Sequence, residues 1–201
     1  NPLYSGTIKN DLKTIPSFSL VMNLNDLFNS TTGIYANPRR DGISWERQCS
    51  LELINPDGSD GFQANAGIRI RGGFSRDPSN PKHAFRFFFR AEYGDAKLEY
   101  PLFGNNGASE FDKIDLRTFQ NYSWSFQGDS RGIFMRDQFS RDAQLEMGHQ
   151  AERGNFYHLY INGQYWGLYQ SQERAEASYG ETYFGGDKEG YDVIKSTGGP
   201  T

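Results

Sequence analysis

Phe156-Tyr157-His158-Leu159-Tyr160-Ile161-Asn162-Gly163-Gln164-Tyr165-Trp166-Gly167-Leu168-Tyr169-Gln170 is the strongest local signal in the chain. Two strand-like, ring-rich runs flank Asn162-Gly163. That dipeptide accepts positive φ at both central positions of a type I′ turn, so the stretch predicts a tight β-hairpin.

Further strands follow from period-two alternation. Gln48 to Ile54 places Cys49, Leu51 and Leu53 on one face. After the turn-rich Asn55–Gly61, Ala66 to Arg71 puts Ala66, Ile68 and Ile70 inward, with Arg69 and Arg71 on the other side. Phe85 to Arg90 completes a three-strand meander. Lys113 to Thr118 adds a short strand with Ile114 and Leu116 inward. Ser17 to Met22 fits a strand, and Asn25 to Phe28 a single capped helical turn. Ser130 to Met147 is the best helix: Met135, Phe139, Ala143 and Met147 recur every four residues before Gly148. A second helix is expected over Ser171 to Tyr183, closed by Gly185-Gly186, and a last strand over Tyr191 to Lys195. The order reads as α+β, an antiparallel sheet carrying two main helices.

Composition narrows the function classes. The chain has 201 residues, with 21 basic and 25 acidic side chains and a net charge of −4. It lacks the basic face a nucleic-acid grip needs, so no nucleic-acid partner is expected. Rings supply 15% of the residues, so the chain folds around a core richer in rings than in aliphatics. The single cysteine, Cys49, excludes an internal disulfide and a multi-cysteine zinc site, and reads as a small buried apolar residue. No run of 18 apolar residues exists, so no membrane span is expected. The chain begins at Asn1 without a signal segment, as a processed or trimmed chain would.

Chemistry-bearing motifs are sparse. His83, His149 and His158 lack ligand spacing, and no metal site is expected. There is no Gly-x-Ser-x-Gly elbow and no strict P-loop. The Asp-rich turn 55–61 lacks EF-hand spacing. Asn29-Ser30-Thr31 and Asn121-Tyr122-Ser123 match the N-glycosylation pattern, which recurs by chance. Gly67 to Arg76 followed by Pro81-Lys82 is more pointed. It combines two glycines that let backbone N–H groups approach an anion with four cations that could neutralise it, set against the simpler reading of a solvated arginine face. Arg136-Asp137 and Glu173-Arg174 put opposite charges side by side. Neighbours on a helix do not face each other, so each is expected to pair with a distant partner.

Together these motifs resemble the CotH family of spore-coat proteins, whose members resemble protein kinases. Four blocks carry the likeness: Gly42-Ile43-Ser44-Trp45-Glu46-Arg47; Gly67 to Ser75 with Lys82 to Phe89; Leu116-Arg117 with Arg136-Asp137; and Tyr160 to Tyr169 with Glu173. The resemblance spans about residues 33 to 195 and implies an N-terminal extension over 1–32 and a CotH-like domain over 33–201. It implies a sheet resembling the small lobe of a kinase-like fold, with ATP and Mg²⁺ as cofactors. Lys82 is then the leading candidate for the ATP phosphates, with Arg69 and Arg71 as runners-up. Glu146 is the candidate counter-ion from the helix, with Asp142 as its shorter substitute, and Glu173 falls at a hinge or helix start.

In the family the catalytic and metal-binding aspartates lie further along, in a large lobe, so no catalytic residue is assigned here and the chain reads as the N-terminal part of a larger protein. The implied whole is a secreted or cell-surface bacterial kinase acting on Ser or Thr of a coat or surface protein, with its oligomeric state open. A different class competes: a non-catalytic interaction or carbohydrate-associated module, motivated by the rings of Tyr157, Tyr160, Tyr165, Trp166 and Tyr169. Sheet core is the simpler reading of those rings.

Overall fold

The computed structural model describes residues 2–118 and 132–194. In chain order the elements are α1 (Ile8–Asp11), β1 (Ser17–Val21), α2 (Leu24–Phe28), β2 (Arg47–Ile54), β3 (Gln63–Arg71), β4 (Ala84–Phe88), β5 (Leu98–Glu99), β6 (Glu110–Phe111), β7 (Lys113–Arg117), α3 (Arg136–Glu146), β8 (Gly154–Ile161), β9 (Gln164–Gln172) and α4 (Ala177–Phe184).

The quoted hairpin forms as expected. β8 and β9 pair antiparallel, and Asn162 (φ 48°) and Gly163 (φ 79°) take the left-handed turn. The meander β2-β3-β4 forms too, and β4 hands on to β7 and β7 to β9.

The expected open antiparallel sheet, like a kinase small lobe, is corrected by what β1 does. It pairs antiparallel with β2 and parallel with β8, matching Ser17 with His158 and Leu20 with Ile161. The sheet therefore closes into a seven-stranded mixed barrel, ordered β1-β2-β3-β4-β7-β9-β8. Asn162 fixes the seam: its amide side chain accepts from the Met22 N–H and donates to the Met22 carbonyl, both at 2.9 Å. Closure leaves β2 and β8 without a free edge.

Alternation then puts one face of every strand inside. Phe18, Leu20, Leu51, Ile68, Phe85, Phe87, Ile114, Leu116, Leu159 and Tyr169 are fully buried. Phe18 meets Tyr157 at 4.4 Å between ring centroids. Tyr157 and Tyr169 are thus core residues, while Tyr165 is exposed.

Two helical expectations change. Of the predicted 130–147 helix, residues 130 and 131 lie outside the described residues and α3 starts at Arg136. Met135, Phe139 and Met147 of its recurring apolar set are exposed, Ala143 is partly buried, and its buried side chain is Gln138. The barrel's apolar positions face inward, so the outer surface available to α3 is polar. Gln170 Nε2 donates to Gln138 Oε1 at 2.6 Å, and Asp137 pairs with Arg117. The predicted second helix starts six residues late, because Gln170 to Gln172 stay in β9 to pair with β7. The predicted last strand reduces to an isolated bridge at Ile194, after a 3-10 turn at Lys188–Gly190; Lys195 lies outside the described residues, as does Asn121.

Candidate functional site

The β3–β4 connection, residues 72–83, carries the glycines and Lys82 singled out above. Gly72 has φ 111°, and a Cβ there would meet Ser75 Oγ at 1.8 Å, so glycine is required for the turn. Ser75 Oγ donates to the Arg71 carbonyl, and Asn80 Nδ2 to that of Phe74. Arg76 anchors the loop from below on Asp41 and the Pro38 carbonyl.

The segment presenting Lys82 is clamped on both sides. The Tyr35 hydroxyl donates to the Pro81 carbonyl and accepts from the His83 N–H, each at 3.2 Å. The Tyr169 hydroxyl donates to the His83 carbonyl at 3.0 Å. His83 Nδ1 lies 2.8 Å from the Ser75 carbonyl, which fixes the proton on Nδ1, and burial lowers the ring's pKa. Trp166 stands edge-on to Tyr35, with Phe28 beside both.

Lys82 itself turns inward. Its Nζ donates to the Leu168 carbonyl at 3.0 Å and lies 4.3 Å from the centroid of the Tyr169 ring. No carboxylate pairs with it among the described residues. Loss of water pushes its pKa down from 10.5 to about 8. Room for the ammonium comes from β9. Gly167, at φ 117°, sits at a bulge where Leu159 faces Gly167 but Tyr160 faces Tyr165, and a Cβ there would lie 2.6 Å from Lys82 Nζ.

The other expected site residues do not join it. Arg69 is committed to Glu46, its Nε 2.7 Å from Oε2, and its guanidinium covers the Phe88 ring. Glu46 also takes Arg90 and the Tyr93 hydroxyl, which makes the Trp45-Glu46-Arg47 block a structural lock. Gly67 leaves space for it, since a Cβ would meet Glu46 Oε1 at 2.4 Å. Arg71 lies on the barrel's outer face, 3.1 Å from Asp115 Oδ2. Asp115 is gripped by Arg86 through two bonds of 2.6 and 2.9 Å. Glu146 is exposed at the end of α3 and pairs with no lysine or arginine among the described residues.

Glu173 is buried at the far end of β9, five residues past Leu168 and so about 17 Å away. It accepts from the Arg153 N–H at 2.8 Å and from the Tyr183 hydroxyl. Burial, then that carboxylate, drives the Tyr183 pKa up. Glu173 lines a cavity of about 170 Å³ between α4 and the β6–β7 region. Asp137 finds Arg117 and Glu173 finds Arg153, the distant partners expected, whereas Arg174 pairs locally with Glu176, two residues on.

Sequence reading missed Arg86, Asp115 and the Tyr35 clamp. It also missed the role of Gly167, although an isolated glycine in a strand pattern signals a bulge or a close approach.

With that geometry in place, comparison with known families is informative. The model of the CotH kinase protein family matches residues 68–196, nearly two thirds of the chain. The chain belongs to the CotH kinase family. Its matched part opens in β3 and contains the Lys82 loop, the Asn162-Gly163 hairpin and α4. A search of the curated proteins finds no match.

Proposed function

We propose that the protein is part of a CotH-type phosphotransferase that moves a phosphoryl group from ATP to Ser or Thr of a bacterial coat or surface protein, with Lys82 taking phosphate oxygens. The observation supporting this is the Lys82 ammonium, withdrawn from water without a carboxylate among the described residues. Such a cation lacks a counter-charge, and an anionic ligand supplies one. An ammonium beside a glycine-bearing loop suits a phosphate group.

ATP, when bound, supplies the phosphoryl group. The chain's residues hold the receiving charge in place: Tyr35 and Tyr169 fix the backbone around Lys82, and Gly167 leaves its ammonium room. Magnesium is another matter. Among the described residues no three His, Cys, Asp or Glu side chains gather to hold a metal, so no step is assigned through one.

The test is phosphate transfer from γ-labelled ATP with the full-length gene product, together with the ATP-induced change in melting temperature. Label and a rise in Tm are expected, both lost in Lys82→Ala. No label and no rise overturn the enzyme reading. A non-catalytic interaction module is the second reading, favoured by the apolar side chains that α3 turns to solvent.

A further inference from the structure

We propose that Lys82 is an acylation site, its side-chain amine taking an acyl group from a small acyl phosphate. A lysine ammonium carries three N–H donors. Among the described residues the Lys82 Nζ has a single acceptor, the Leu168 carbonyl at 3.0 Å, and no carboxylate. Beside it stands the Tyr169 ring, its centroid 4.3 Å away, and Gly167 leaves the room. One acceptor and one apolar ring face match an acylated lysine more closely than a charged one. The amide N–H keeps the bond to Leu168, the acyl methyl meets the ring, and no charge is withdrawn from water without a counter-ion.

The same surroundings make the amine a nucleophile. Withdrawal from water favours the uncharged form, whose nitrogen lone pair attacks. That lone pair forms the C–N bond at the acyl carbon. The C–O bond to phosphate breaks, inorganic phosphate leaves with the electron pair, and the amine proton passes to water. Lys82 is only half-buried, which admits a small donor. The resulting amide is neutral. On the reading of Lys82 as the phosphate-receiving cation, acylation switches the ATP site off.

The test treats the whole chain with acetyl phosphate and reads acetylation lysine by lysine by mass spectrometry. Lys9 and Lys13, both exposed, are the internal references. At pH 7.5 a pKa of about 8 leaves roughly 200 times more free amine at Lys82 than at a side chain near 10.5. Lower basicity takes back about 10- to 20-fold, on a Brønsted slope of about 0.4–0.5 like that of thiolates. Lys82 is therefore expected to react at least fivefold faster than either reference at pH 7.5, an advantage gone by pH 10.5. Gly167→Ala, which sets a Cβ 2.6 Å from Nζ, should bring the Lys82 rate down to the references. A chain made with acetyllysine in place of Lys82 should unfold at a urea midpoint no lower than the unmodified chain at pH 7.

Circular dichroism confirms that each chain is folded. Equal rates for Lys82 and the references at pH 7.5 overturn the proposal. So does a Lys82 rate indifferent to Gly167→Ala, or a lower midpoint for the acetyllysine chain. These readouts need no ATP, so a failed transfer assay and a failed acylation are told apart. An ATP-induced rise in Tm that survives acetylation overturns the switch.

Discussion

The carbonyl oxygen of Leu168 accepts a 3.0 Å hydrogen bond from the Lys82 ammonium, joining the β3–β4 loop to the β9 bulge across 86 residues of sequence. Backbone geometry makes this contact possible, because the neighbouring Gly167 has no Cβ to occupy the space of the ammonium.

Gly167→Ala should therefore cost about 1–3 kcal/mol, from a side chain forced to φ 117° and from displacement of Lys82. In a Lys82→Ala background the displacement part disappears and only the backbone strain remains. A urea-denaturation double-mutant cycle measures the difference. Equal costs in both backgrounds would show that the two residues are uncoupled.

The pH dependence follows from the lowered Lys82 pKa, about 8 in the fold against 10.5 for the free side chain. Between those values the unfolded chain binds the proton and the folded chain does not. Stability contributed at this position therefore rises with pH through the interval, and below it the buried charge is a cost. Relative to Lys82→Met, the natural chain should gain stability from pH 8 to 10.5, read from denaturant midpoints. A flat difference would mean that the ammonium stays charged in the fold.

Asp115→Asn leaves Arg86 and Arg71 facing a neutral amide on the outer barrel wall. Removing one partner from a buried ionic cluster costs about 3–5 kcal/mol. The same cycle of denaturation measurements tests this, and a loss below 1 kcal/mol would show the cluster to be solvent-screened.

Deleting residues 1–22 removes β1, and with it Phe18, Leu20 and the pairing edges of β2 and β8. Losing two buried core side chains costs roughly 2–5 kcal/mol each. That is comparable with the whole stability of an ordinary domain, about 5–15 kcal/mol. The shortened chain should show no cooperative thermal transition and should self-associate through the bared edges. A monomeric fragment with a sharp transition would show the barrel seam to be dispensable.

Much of the site's chemistry was visible in the residues and little of its arrangement. Lys82 stands out as the last of four cations around the Gly72-Gly73 turn, and the family resemblance sets Glu173 at a hinge or helix start. Arg69 and Arg71 read equally well as an anion cradle or as a solvated face. Their partners, Glu46 and Asp115, lie 23 and 44 residues away, a distance local pattern cannot see.

The amino-acid sequence by itself determined the seven barrel strands, the inward faces of β2, β3 and β7 and the Asn162-Gly163 turn, because side-chain alternation and positive-φ tolerance are local properties. The tertiary structure alone decided that the sheet closes, since the parallel β1–β8 pairing joins segments some 140 residues apart. Closure also reversed the expectation for α3: once the barrel interior had taken the apolar alternates, the helix met a polar wall and docked by its polar side. The same long-range packing turned Lys82 inward over Tyr169, where loss of water, more than residue type, sets its chemistry.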